Sequence, residues 1–349
     1  MTHTTTRRRW RSIAVILSAG TLVLAACGSD DDADGDDASD TTSAPAETEA
    51  PADTEPPATE APPETDAPVD TEPPATEAPP ETDPPADEEL RVVSLSPTHT
   101  EIMFAIGAGD LLVAVDEFSN FPAEALELPN ELSGFEPNVE EIAAFEPDLV
   151  LIGGDFTGLG AQLDDLGIGW WDGPAAASLD DTYAQIAQLG DATGNADGAA
   201  DVIDGMQTRI AEIIDEVGDI GAGLSFYHEI DATFFSADST TFIGQIYSLL
   251  GLRNIADADE SESFGFPQLN VEFIIEQNPD IIFLPSGVFY LETPEGVAAR
   301  DGWDVIAAVQ NGNVIATNDE IGGRWGPRIV EYLESVAAAL AEVQVPVGG

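Results

Sequence analysis

Two acidic side chains are the first candidates for chemistry, because the chain writes their setting twice. NVEEIAAFEPDLVLI runs from Asn138 to Ile152, and NVEFIIEQNPDIIFL runs from Asn270 to Leu284. Each phrase reads as a capping Asn, Val, an acid, a helical stretch, Pro-Asp and four apolar residues. Glu140 and Glu272 stand at the second position of a capped helix, where an acid complements the helix dipole by about 0.3–1 kcal/mol. The same placement twice also offers matched carboxylates to a two-fold partner. Glu141 takes the capping-box place three residues after Asn138.

Histidine and arginine are scarce enough to single out. His99 and His228 are the only histidines after His3. Two could be axial ligands, but a naked-metal site wants three or four N or O donors. The plainer reading is loop histidines that hydrogen-bond or touch a ligand. Arg324 is suited to an anionic group on a ligand. Arg328 precedes an apolar helix and reads as structural. Trp170, Trp171 and Trp303 read as packing. The chain has no cysteine nucleophile, G-x-S-x-G elbow, H-E-x-x-H or P-loop lysine. No pair of carboxylates stands out from a generally acidic surface as a glycosidase would need. No catalytic residue is expected, which leaves a surface hydrolase as the weakest reading.

The balance of charge excludes some partners. The basic residues number 10, all arginine, against 67 acids, for a net charge of -57. Nucleic acid and anionic lipid surfaces are disfavoured. The one basic cluster, Arg7 to Arg11, precedes an apolar stretch at 13 to 26. That order matches an export signal and is too short for a spanning helix. Leu24-Ala25-Ala26-Cys27 resembles the bacterial lipobox, which implies lipidation of Cys27, the only cysteine, and anchorage to the outer face of the cell membrane. The arginine pair leaves both the general and the twin-arginine export routes open. Residues 28 to 89 hold 22 acids and no bases, and TEPPATEAPPETDAPVD at 54 to 70 recurs nearly unchanged at 71 to 87. Such a segment cannot bury enough apolar surface to fold and is expected to be an extended tether.

The elements that must position these residues come from the remaining 260 or so positions, enough for two modest lobes. Strands are predicted at Arg91 to Leu95, Leu111 to Val115, Leu149 to Ile152 and Ile168 to Trp171. A loop covers Ser96 to His99, and a helix runs from Thr100 to Ala108. The second half repeats the order, with strands at Leu224 to Tyr227 and Ile281 to Leu284 and a helix at Phe242 to Leu250. Strand–helix alternation implies α/β lobes with mostly parallel sheets. Between the lobes, Val202, Ile203, Met206, Ile210, Ile213, Ile214 and Val217 trace one face of a helix over Asn195 to Val217. The expected divisions are a signal at 1–26, lipidated Cys27 and linker at 27–89, a lobe at 90–193, a connecting helix at 194–218 and a lobe at 219–349.

RVVSLSPTHTEIMFAIGAGDLLVAV, the doubled N-V-E phrase and GGRWGPRIVEYLES together resemble one family, over residues 90 to about 342. It is the helical-backbone substrate-binding proteins of ABC importers for cobalamin, ferric siderophores and haem. The resemblance implies two Rossmann-like lobes, one long helix between them and a ligand cleft. It implies a monomer with a permease dimer as partner, Glu140 and Glu272 as docking acids, and no cofactor beyond the bound metal chelate. In such sheets the ligand lies at the C-terminal strand ends. The expected ligand residues are Ser96, Pro97, Thr98, His99, Phe118, Phe135 and Phe156 in the first lobe. In the second they are His228, Phe235, Phe266, Arg324 and Trp325. Phe118, Phe235 and Phe266 align where relatives place ring-contacting aromatics. Few basic residues argue against a highly anionic catecholate, so a corrinoid comes first and a ferric siderophore second. Haem or naked-metal capture is the alternative.

Overall fold

The computed structural model describes residues 89–259, 261, 263–286 and 292–344. The export segment, Cys27 and nearly all of the tether lie outside the described residues. Among the described residues no helix is long and apolar enough to cross a membrane.

The inner strands are short and buried on both sides, which only a sheet covered on both faces can use. The first sheet holds β1 (Val92–Ser94), β2 (Leu112–Val115), β3 (Leu149–Ile152) and β4 (Gly169–Asp172), in the order β2-β1-β3-β4. The second holds β5 (Ser225–His228), β6 (Arg253–Asn254), β7 (Ile281–Pro285) and β8 (Val314–Thr317), in the order β6-β5-β7-β8. Every pairing is parallel. The two sheets therefore share one topology, and the doubled phrase is the helix–strand unit leading into β3 and β7.

Side-chain alternation sorts each strand between two layers. Val92 and Leu151 face a central cluster, while Val93 and Val150 face an outer one. Phe226, Ile281 and Phe283 join the same central cluster, while Tyr227, Ile282 and Leu284 face the other outer one.

Helices follow each strand. The first lobe carries α1 (Pro97–Ala105), α2 (Val139–Ala143), α3 (Leu159–Leu166) and α4 (Leu179–Thr193). Then comes α5 (Ala196–Val217), 22 residues and about 33 Å long at ~1.5 Å each. The second lobe carries α6 (Phe242–Ser248), α7 (Val271–Gln277), α8 (Pro294–Ala298), α9 (Ala307–Asn311), α10 (Asp319–Gly322) and α11 (Ile329–Leu340). Met206, Ile210, Ile213 and Val217 of α5 are buried, each fully buried Ile contributing about 1.5–3 kcal/mol. They pack against α4, α11 and α1. Ile214 departs from its expected place and is 36% exposed, because the buried stripe is one residue narrower than the run of apolar positions.

Candidate functional site

Three strand ends of the first sheet open on one cavity of about 720 Å³. After β1 the chain turns at Ser96, whose extended backbone (φ -149, ψ 124) lets Pro97 start α1 directly. The expected loop over Ser96–His99 is thus corrected to a helix start, because proline at the first helical position has no N–H to lose. Ser96, Pro97 and Thr98 line the cavity. After β2 come Asp116 and Phe118, and Phe118 meets Phe135 edge-on with ring centroids 5.6 Å apart. After β3 come Gly153 and Gly154. Gly154 has φ +109, a conformation that residues with a Cβ rarely adopt, so glycine suits this turn. Asp155 accepts from the backbone N–H groups of Leu159 at 2.7 Å and Gly160 at 3.2 Å, capping α3 and fixing the loop that presents Phe156.

The opposite lobe closes the cavity with Gly323, Arg324 and Trp325. A second cavity of about 300 Å³ adjoins through Gly323 and is lined by His228, Ile230, Phe266 and Tyr332 among others. Phe235 is half-exposed and lines neither cavity. Of the twelve ligand residues expected from sequence, eight wall the larger cavity and two the smaller. Asp116, Gly134, Gly153, Gly154 and Thr157 were not anticipated. Asp116, Gly153 and Gly154 directly follow predicted strands, and that position was the available signal.

His99 is a correction. It sits in the first turn of α1, wholly buried, edge-on to Trp171 at 4.9 Å and to Trp325 at 6.2 Å. It lines neither cavity because those rings cover it. Gln185 donates its amide to Pro174 O at 2.7 Å, so its oxygen faces His99 Nε2 at 3.3 Å and Trp325 Nε1 at 3.0 Å. An oxygen only accepts, which puts the His99 proton on Nε2. Burial lowers the His99 pKa to about 4, the Gln185 bond opposing. His228 ends β5, bonds Tyr247 Oη at 3.0 Å and is also lowered to about 4 by burial. Tyr247 in turn bonds Tyr332 at 2.6 Å.

Arg324 is the other correction. Its guanidinium is not free for an anionic ligand. It donates to Glu101 at 2.5 Å, Asn120 Oδ1 at 3.0 Å and the Phe118 carbonyl at 3.1 Å. Glu101, on α1, is 2% exposed at its side chain and takes Arg328 at 3.3 Å as well. Burial pushes the Glu101 carboxyl up while the two guanidinium groups pull it back. Two arginines from the second lobe thus grip one carboxylate of the first. Arg328 also lies 3.9 Å over the Phe121 ring.

Away from the cavities, Glu140 and Glu272 are exposed at equivalent helix starts. Asn138 accepts from Glu140 N–H at 3.0 Å and Asn270 from Phe273 N–H at 2.9 Å. The Asn138 bond goes one residue earlier than a capping box would send it.

Comparison with known proteins agrees with this build. The cobalamin-binding protein of Halobacterium salinarum is 32% identical over 262 residues, 71% of this chain and 69% of that one. An ABC transporter substrate-binding lipoprotein of Bacillus subtilis, YvrC, is 29% identical over 258 residues, 72% of this chain and 79% of that one. Among solved structures, the periplasmic vitamin B12 binding protein BtuF of Vibrio cholerae superposes with a TM-score of 0.61 at 26% identity, covering 73% of this chain and 98% of that one. Two like parallel sheets, a helix between them and a cleft at their strand ends accompany a sequence match to the periplasmic binding proteins over residues 92–321, and the chain belongs to that family.

Proposed function

We propose that this chain is an extracytoplasmic receptor that captures a bulky metal chelate, a corrinoid first, and delivers it to the permease of an ABC importer. The observation that carries this reading is the apolar wall of the larger cavity. Phe156 is 89% and Phe135 76% exposed there, beside Phe118 and Trp325. Bare rings clustered in a concavity are what a large ligand with apolar faces would cover. Relatives named for cobalamin and vitamin B12 support the corrinoid choice, and a ferric siderophore is the second reading of the same cleft. No catalytic residue is assigned.

In this reading Cys27 carries the lipid anchor, residues 28 to 89 hold the receptor off the membrane, and Glu140 and Glu272 meet cations on a two-fold permease. The test is tryptophan fluorescence titration with cyanocobalamin, haemin and ferric siderophores. Binding of cyanocobalamin or a ferric siderophore tighter than about 1 μM is expected, equivalent to roughly 8 kcal/mol. Saturation by none of these, or by haemin alone, would overturn the reading.

A further inference from the structure

Three of the four rings that wall the larger cavity, Phe118, Phe135 and Trp325, trace back to one side chain that does not line it. Glu101 stands behind the wall on α1. It accepts from Arg324 at 2.5 Å and from Arg328 at 3.3 Å, both through Oε1. Arg324 goes on to the Phe118 carbonyl at 3.1 Å and Asn120 Oδ1 at 3.0 Å, so the same guanidinium pins the turn after β2. Phe118 then meets Phe135 edge-on. Trp325 is the next residue after Arg324, and its indole reaches Gln185 of α4. One residue further, a Cβ at Gly326 would lie 3.6 Å from Thr98 Cγ2, ordinary contact distance, so the chain runs directly over the first turn of α1.

Residues 323–328 therefore belong by connectivity to the second lobe, between α10 and α11, and by contact to the first. Gly323 and Gly326 give this strap little torsional restraint of its own. Stability alone is a poor account of Glu101. A buried ion pair returns little net stability, because desolvation consumes most of the attraction. Glu101 Oε2 is also buried without a hydrogen-bond partner among the described residues, a further cost. What the arrangement supplies is one defined geometry.

Resting on the receptor reading above, we infer that Glu101 is a positioning residue of the ligand site: it holds the strap at 323–328 against the first lobe and so sets, without touching the chelate, the places of Phe118, Phe135 and Trp325. With the carboxylate in place the wall is assembled in advance, and the chelate spends little of its binding energy ordering it. With the carboxylate gone, two guanidinium groups lose the anion between them and the strap spreads over other places. Apparent affinity then falls with the fraction of molecules whose rings stand ready.

The test is Glu101→Gln, which keeps the bulk and removes the charge. Affinity for cyanocobalamin or a ferric trihydroxamate should fall about tenfold, as it would if roughly one molecule in ten kept the wall assembled. A second readout needs no ligand. In protein carrying 5-fluorotryptophan, the Trp325 resonance is assigned by its absence in Trp325→Phe. It should shift or broaden in Glu101→Gln, while that of Trp303, buried in the outer cluster of the second lobe, stays in place. If Glu101→Gln does not fold, Arg324→Lys keeps a cation beside Glu101 but lacks the planar fork that holds Phe118 and Asn120 together. It should move the Trp325 resonance in the same way. Unchanged affinity in folded Glu101→Gln, or an unmoved Trp325 resonance in whichever variant folds, overturns the inference and leaves the receptor reading intact. Equal movement of the Trp325 and Trp303 resonances marks a general loss of structure and overturns it as well. Failure of every chelate to bind the unaltered protein overturns the receptor reading, and the inference with it.

Discussion

Trp325 donates its indole N–H to the side-chain oxygen of Gln185, 3.0 Å away and 140 residues earlier in the chain. The same oxygen serves His99, so one amide joins the rim of the cleft to the interior of the first lobe. Gln185→Met keeps the bulk and removes the acceptor, leaving the His99 N–H buried and unpaired. It should lower stability by about 1–3 kcal/mol in urea unfolding. Trp325→Phe leaves the His99 bond standing and should cost about 1 kcal/mol or less. Equal losses in the two variants would mean that Gln185 works by packing alone.

Acid should weaken the fold through its two buried histidines. Both have pKa values near 4 when folded and an ordinary value of 6.5 when not. Between these values the unfolded chain binds more protons, so stability falls as pH falls from about 6.5 to about 4. Each histidine contributes up to about 3 kcal/mol of this loss. Replacing His228 with Gln should flatten the slope of stability against pH over that window, read by denaturant titrations at several pH values. An unchanged slope would mean that His228 is solvated and protonates freely in the native state.

Binding and stability should separate at the exposed rings. Phe156→Ala removes a ring with little to pack against and should shift the thermal midpoint by under about 2 °C. The same change should weaken chelate binding by about 1–2 kcal/mol. Phe135→Ala should behave alike, with a small added loss from its contact with Phe118.

Changing both Glu140 and Glu272 to Arg should leave chelate affinity intact and abolish uptake into vesicles carrying the cognate permease, since like charges across a close interface repel. Each acid also complements a helix start, so each single change to Gln should cost only about 0.3–1 kcal/mol of stability. Normal uptake by the double variant would reduce the doubled phrase to a shared way of beginning a helix.

Cys27→Ala should move the protein from the membrane to the soluble fraction without altering chelate affinity. A variant that still pellets with membranes would remove the lipid anchor from the proposal.

Local patterns in the sequence carried most of the fold. The unbroken apolar run at Leu149–Ile152 became β3, and Asn138 and Asn270 cap the helices they were expected to cap. Signals of this kind act within a few residues. The corrections came from long-range pairing. Glu101 and Arg324 are 223 residues apart, and nothing near either announces the other. His99, expected in a loop, lies in the first turn of α1, because Pro97 at the first helical position favours the helix. Thr100 Oγ1 donates to Ser94 Oγ at 2.9 Å and bonds Ser119 Oγ at 2.8 Å, contacts that need β1, α1 and the turn after β2 to meet.

The central apolar cluster belongs to neither lobe alone. Val92 and Leu151 come from the first, Phe226 and Phe283 from the second, and Met206, Ile210 and Ile213 from α5 between them. Cutting the chain at α5 exposes half of that cluster on each piece, so neither half is equipped to fold by itself, and unfolding should pass through one cooperative transition. The same continuity governs how hybrid receptors can be made. The first-lobe loops that carry Phe135 and Phe156 can be exchanged between relatives with little thermodynamic penalty, since neither ring belongs to the cluster. A whole lobe can be transplanted only together with its facing surface of α5. Ligand preference is therefore the freely variable part of this architecture, and the pairing of its halves is the inherited one.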